Sequence, residues 1–184
     1  MADIPVYLIA GFLDGGKTDF INGILEDGFA REDKTLLICC EEGDTEYDPE
    51  LLKKTNTILV NVESMDEISP ERLTELELLH NPERVLMEWN GMWNQDELRL
   101  PKGWEVYQQI TIIDGSTFDL YVKNMKPLLG AMVRNSELII CNRCDDVEDL
   151  EGYRRTLLAM NNQAEIVFED AEGEISEISE ADLP

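Results

Sequence analysis

The sequence predicts a three-layer α/β domain with a mainly parallel central sheet, and three observations predict it. Seven apolar or β-branched runs recur along the chain. Between several of them lie segments whose apolar residues repeat at helical spacing behind acidic solvent faces. Runs such as LLICC and LIIC are apolar throughout, as strands covered on both faces are, whereas a strand with one wet face would alternate. Strands that alternate with helices wind into a parallel sheet.

The elements follow in order. IPVYLIA (4–10) is the first expected strand, and a glycine-rich turn leads from it into the helical stretch TDFINGILEDGF (18–29). TLLICC (35–40) and TILVNV (57–62) are the next two strands. A helix is expected over PERLTELELLH, with Ser69 as its cap and Pro70 at its first position, where a missing N–H is harmless. RVLMEW (84–89) and YQQITII (107–113) are strands again. The long helical stretch at 116–135 contains Pro127, which lacks an N–H and clashes with the preceding turn, so a kink or break is expected there. ELIIC (137–141), the helical DLEGYRRTLLAMN (149–161) and AEIVF (164–168) complete the pattern. Residues 1–168 therefore read as one domain. The remaining 169–184 hold seven acids and no base, the composition of a solvated tail or linker.

Charge narrows the function classes. Forty acidic against fifteen basic residues give a formal charge of -25, which repels nucleic acid and anionic lipid. No run approaches the roughly 20 apolar residues that span a bilayer, and no basic stretch precedes VYLIA as in an export signal, so a cytoplasmic protein is expected, with no nucleic-acid or membrane partner. In a reducing compartment Cys39, Cys40, Cys141 and Cys144 are expected as buried thiols or metal ligands and not as disulfides. The single histidine, His80, falls at a helix end, so no Ser-His-Asp arrangement can be built.

GFLDGGKTDF (11–20) contains the spacing G-x-x-x-x-G-K-T between a buried strand and an amphipathic helix. Gly11, Gly15 and Gly16 let the backbone curl so that its N–H groups face a polyphosphate; the Lys17 ammonium reaches the terminal phosphates and is read as serving the ligand and not the core; Thr18 can ligate Mg2+. Asp14, on the outer loop, is read as facing water. Asp19 is less expected, because a carboxylate 4 Å from a phosphate charge costs about 4 kcal/mol at an effective dielectric of 20. In the empty helix the same charge is favourable by about 0.3–1 kcal/mol. Two further segments fit a nucleotide switch. In NRCD, Asn142 and Asp145 form N-x-x-D, whose carboxylate can accept the ring N–H and exocyclic amine of guanine. In MEWNG, Glu88 ends a strand where it can contact Mg2+ or its water, and Gly91 can offer its N–H to a γ-phosphate. Cys40, Glu41 and Asp44 could form a mixed thiolate and carboxylate site for Zn2+ or another transition metal. Cys141-x-x-Cys144 has the spacing of half a zinc site.

With these motifs the chain resembles the CobW/HypB/UreG-type P-loop GTPases, in particular their CobW-like branch. GFLDGGKTD is similar to that branch's GFLGAGKTT-like loop, the stretch from Cys40 to Asp44 to its NEFGE first switch, and Glu88 to Gly91 to its E-T-x-G. Ile112 to Phe118 resembles VVDA-x-TF, and Asn142 to Asp145 resembles N-K-x-D. The resemblance implies a P-loop NTPase fold, binding of GTP and GDP, slow Mg2+-dependent hydrolysis with catalytic roles for Lys17, Thr18, Glu41 and Glu88, and use of that cycle to deliver a metal or service a client metalloprotein. The chain departs from the family at Asp19, where members have a second Thr, and at 61–73, where NVESMDEISPERL has no cysteine in place of the usual C-x-C-C. An alternative reading follows from these departures: a degenerate P-loop interaction module that docks a partner through Met87, Trp89, Met92, Trp93 and Trp104.

Overall fold

The computed structural model describes residues 3–29, 32–40 and 46–175, and the chain forms two compact units, Met1–Gln109 and Ile110–Pro184. The first unit holds β1 (Ile4–Ala10), α1 (Lys17–Glu26), β2 (Thr35–Cys39), α2 (Pro49–Lys54), β3 (Thr57–Asn61), α3 (Pro70–His80), β4 (Arg84–Glu88) and the first half of β5 (Trp104–Asp114). Its strands stand in the order β3-β2-β4-β1, and each of these pairings is parallel. All five residues of β2 are buried, as are Val85 to Glu88 of β4. That burial is why both runs lack alternation, and each large apolar side chain so buried contributes about 1.5–3 kcal/mol. Helix α1 packs Ile21 and Leu25, one turn apart, into this core, and α3 packs Leu73 and Leu76.

The second unit holds the rest of β5, α4 (Phe118–Asn124), α5 (Lys126–Arg134), β6 (Leu138–Asn142), α6 (Leu150–Met160) and β7 (Glu165–Phe168), with β5, β6 and β7 paired in parallel. Leu129, Met132 and Val133 of α5 and Leu157 of α6 are buried. Among the described residues no helix is long and apolar enough to cross a membrane.

Each of the seven expected runs is a strand. Pro127 produces a break and not a kink: α4 ends at Asn124, Met125 leaves helical geometry, and Pro127 stands in the first turn of α5, where no intrahelical N–H is needed. The six-residue α2 is unexpected. It is started by Asp48, whose carboxylate accepts the Glu50 N–H at 2.9 Å, and by Pro49 at its first position. Residues 169–175, the start of the acidic stretch, fold back in a tight turn. The Glu169 N–H donates to the Cys141 carbonyl, Asp170 accepts the N–H groups of Glu172 and Glu174, and Glu169 pairs antiparallel with Ile175.

Candidate nucleotide and metal site

In the first unit, the loop between β1 and α1 takes the curled form its glycines allow. Gly16 caps α1 with a φ of 96°, a left-handed conformation that disfavours a side chain, and the Gly15 N–H closes back on the Phe12 carbonyl at 3.1 Å. Asp14 also lies at positive φ and is exposed, as expected. Lys17 corrects the sequence reading in one respect. Its side chain is buried, and its ammonium donates to the carbonyls of Gly11 at 3.0 Å and Phe12 at 2.7 Å, so it fastens the loop as well as offering a charge. Asp19 is exposed in the first turn of α1, where its charge complements the helix dipole.

The parallel register brings three strand ends together, because Glu88, the last residue of β4, stands level with Cys39 on β2 and Ile9 on β1. Glu88 is buried. A carboxylate in that position needs donors, and three neutral ones from three segments supply them. The Thr18 hydroxyl donates to Oε1 at 2.8 Å, the Tyr47 hydroxyl to Oε2 at 2.5 Å and the Cys39 thiol to Oε2 at 3.3 Å. Burial, and then the adjacent Glu88 charge, push the Tyr47 phenol well above its ordinary pKa, so it remains a donor. Thr18 and Glu88 are thereby a hard oxygen pair at the start of α1, and such donors fit Mg2+. Gly91 is buried in the turn after β4, beside the bond from the Trp93 N–H to the Asn90 carbonyl. Cys40 is buried just past β2 and gives its N–H to the Glu88 carbonyl at 2.9 Å. Its expected metal partners Glu41 and Asp44 lie outside the described residues.

Met87, Trp89 and Trp104 are buried. Trp93 packs edge-on against Trp89, and Met92 is exposed. The surface expected of an interaction module is therefore largely core.

In the second unit Asn142 ends β6 and Arg143 turns the chain at a φ of 52°. The Arg143 guanidinium donates to Asp114 at 2.7 Å, and Asp114 also accepts from the N–H and hydroxyl of Ser116. Gly115 is a close approach: a Cβ there would stand 2.6 Å from the Cys144 sulfur and 2.9 Å from the Asn142 carbonyl. Cys144 is buried and donates its thiol to the Cys141 carbonyl at 3.3 Å, and burial pushes it up to about 11. Burial raises Cys141 as well, so both are protonated thiols at neutral pH. Asp145 is exposed, and one of its oxygens accepts the Ala171 N–H at 2.9 Å. With Gly115, Ser116, Arg143, Tyr153 and Ala171 it lines a groove of about 850 Å³. Among the described residues the one group of three potential metal ligands is Asp145, Asp170 and Glu172, whose carboxylate oxygens lie within 4.8 Å of one another.

The structure thus joins Thr18 to Glu88 in the first unit and places Asn142 and Asp145 on one loop in the second. Sequence reasoning missed Tyr47, Cys39 and Ala171 as contributors. Tyr47 is 41 residues from Glu88, and no spacing pattern links them. Cys39 was missed for the same reason: only the β2–β4 register sets it level with Glu88.

The model of the CobW/HypB/UreG nucleotide-binding domain matches residues 5–168 of the chain. No curated protein sequence matches it significantly. Among solved structures, the hydrogenase maturation factor HypB from Archaeoglobus fulgidus is similar at a TM-score of 0.67 and 16% identity, over 92% of this chain and 82% of that one. The Zn(II)-bound YjiA GTPase from E. coli is similar at 0.66 and 20%, over 90% of this chain and 57% of that one. HypB from Helicobacter pylori in complex with nickel is similar at 0.57 and 14%, over 92% and 80%. At these identities the likeness is one of fold, the parallel α/β fold of P-loop NTPases.

Proposed function

Because the chain belongs to the CobW/HypB/UreG family of nucleotide-binding domains, we propose that it binds GTP and GDP with Mg2+ and hydrolyses GTP slowly. The observation that supports this most is the 2.8 Å bond from Thr18, directly after the lysine of the glycine-rich loop, to the buried carboxylate of Glu88. Those two side chains would hold Mg2+, with Glu41 as a further candidate. Bound there, the ion would neutralise charge on the phosphate oxygens. The protein's own contribution is positioning. Amides of Gly16 and the first turn of α1 would face the phosphates, Lys17 would add its ammonium, and Gly91 would offer an N–H to a γ-phosphate. In the second unit Asp145 would accept the paired donors of guanine, which adenine lacks, with Asn142 as the first member of the same N-x-x-D motif.

HypB and YjiA structures hold nickel and zinc. We extend the reading to a metal-linked role, in which the nucleotide cycle serves delivery of a transition metal to a client metalloprotein in the cytoplasm. Cys40, Glu41 and Asp44 are the candidate cargo ligand set. The deciding experiment is calorimetric titration with GTP, GDP and ATP, with and without Mg2+. The expected result is guanine-selective binding strengthened by Mg2+; equal affinity for ATP and GTP would remove the base assignment. A second reading, a degenerate interaction module, is favoured by the acid at Asp19 and by the absence of the C-x-C-C cysteines at 61–73, and predicts poor nucleotide binding with weak or no hydrolysis.

A further inference from the structure

The buried Glu88 carboxylate is braced from two sides, and only one side belongs to the motifs that define the nucleotide site. Oε1 faces Thr18 of the glycine-rich loop. Oε2 is held by two groups that the proposed function does not use, the Tyr47 hydroxyl at 2.5 Å and the Cys39 thiol at 3.3 Å. Tyr47 lies on the short segment that leads into α2, and its ring is buried. A residue present for packing alone could be phenylalanine. Here the hydroxyl instead meets an acceptor whose burial makes every lost donor expensive. Cys39 reaches the same oxygen because the β2–β4 register sets it level with Glu88. A carboxylate has about four acceptor positions, and these contacts fill three of them among the described residues. Its rotation about the terminal bond is restrained by donors from three separate segments.

We infer that Tyr47, assisted by Cys39, is a positioning residue for the metal-facing carboxylate, and that it sets the Mg2+ affinity of the nucleotide site. The inference rests on the reading of Glu88 as that carboxylate. Partners that orient a metal ligand without touching the metal commonly change metal affinity by about 10–100-fold when removed, whereas a packing residue changes stability alone. Tyr47 does not reach the phosphates or the base in this account, so its effect should be confined to the Mg2+-dependent part of binding.

The experiment measures GDP affinity by calorimetry across a Mg2+ titration and again in excess chelator, with melting temperatures recorded alongside. Tyr47→Phe keeps the ring and removes the hydroxyl. The Mg2+ concentration giving half of the affinity gain should rise by about tenfold or more, while affinity in chelator stays as in the wild type. Cys39→Ser, which keeps a donor, should hold its Mg2+ response, and Cys39→Ala should lose part of it. This pair carries the test even if Tyr47→Phe folds poorly. A wild-type Mg2+ response in both Tyr47→Phe and Cys39→Ala overturns the inference and leaves the proposed function standing, provided Glu88→Gln loses the response. If Glu88→Gln also responds as wild type, the assignment of Glu88 fails and the inference with it. If the wild-type protein binds no nucleotide under either condition, both fall together.

Discussion

Lys17 fastens its own loop, and in the proposed function the same ammonium serves the ligand. Its buried ammonium bonds two loop carbonyls, and a hydrogen bond to a charged group is worth about 1.5–3 kcal/mol. Lys17→Ala is therefore expected to abolish GTP binding and also to lower stability by about 2 kcal/mol, read by calorimetry and by denaturant titration; a variant as stable as the wild type contradicts the second role. At Asp19 the two effects have opposite signs. Its carboxylate is exposed at the first turn of α1, so screening reduces the raw repulsion of a phosphate, and Asp19→Thr should tighten GDP binding by about 1 kcal/mol. The same change should destabilise the nucleotide-free protein by about 0.3–1 kcal/mol through loss of the dipole contact. Unchanged affinity would mean that the carboxylate points away from the phosphates. Residues of this kind were legible because a spacing names them. Tyr47 was not, since its role exists only once the fold brings distant segments together.

At the scale of elements, β2 and β4 could be read because burial on both faces leaves an unbroken apolar run, and the other strands because their short apolar or β-branched runs are also a local signal. Helix α2 could not, because PELLKK spans less than two turns and offers no period to detect. The 116–135 stretch was legible only as helical; Pro127 decided between kink and break, and the outcome depended on Met125 leaving helical geometry. At its place in the first turn of α5 the proline gives up no hydrogen bond, and its fixed φ restricts the unfolded chain. Pro127→Ala should accordingly lower stability by about 0.4–1 kcal/mol without changing helix content. Denaturant midpoints and far-ultraviolet circular dichroism test both halves of that statement.

For the whole molecule, pH dependence follows in part from two groups of the second unit that the fold keeps protonated, buried Cys144 and half-buried Tyr153. Burial raises Cys144 from 9.0 to about 11 and Tyr153 from 10.0 to about 12. Between those limits the folded chain retains protons that the unfolded chain has released, so their contribution is complete below about 9 and is lost as the pH climbs toward 11 and 12. Unfolding free energy should fall across that window, and Cys144→Ser, which does not titrate there, should flatten the lower part; a level profile in the wild type would refute the assignment. The groove that Asp145 lines also bears on how binding can be observed. One oxygen of Asp145 already holds the main-chain proton of Ala171, and a guanine base accepted by the same carboxylate would share its oxygens with that hydrogen bond and polarise it. In a nitrogen-15 correlation spectrum the Ala171 amide is thus a built-in spectroscopic reporter: its cross-peak should move with GDP, stay in place with ADP, and read base recognition with no label beyond the isotope.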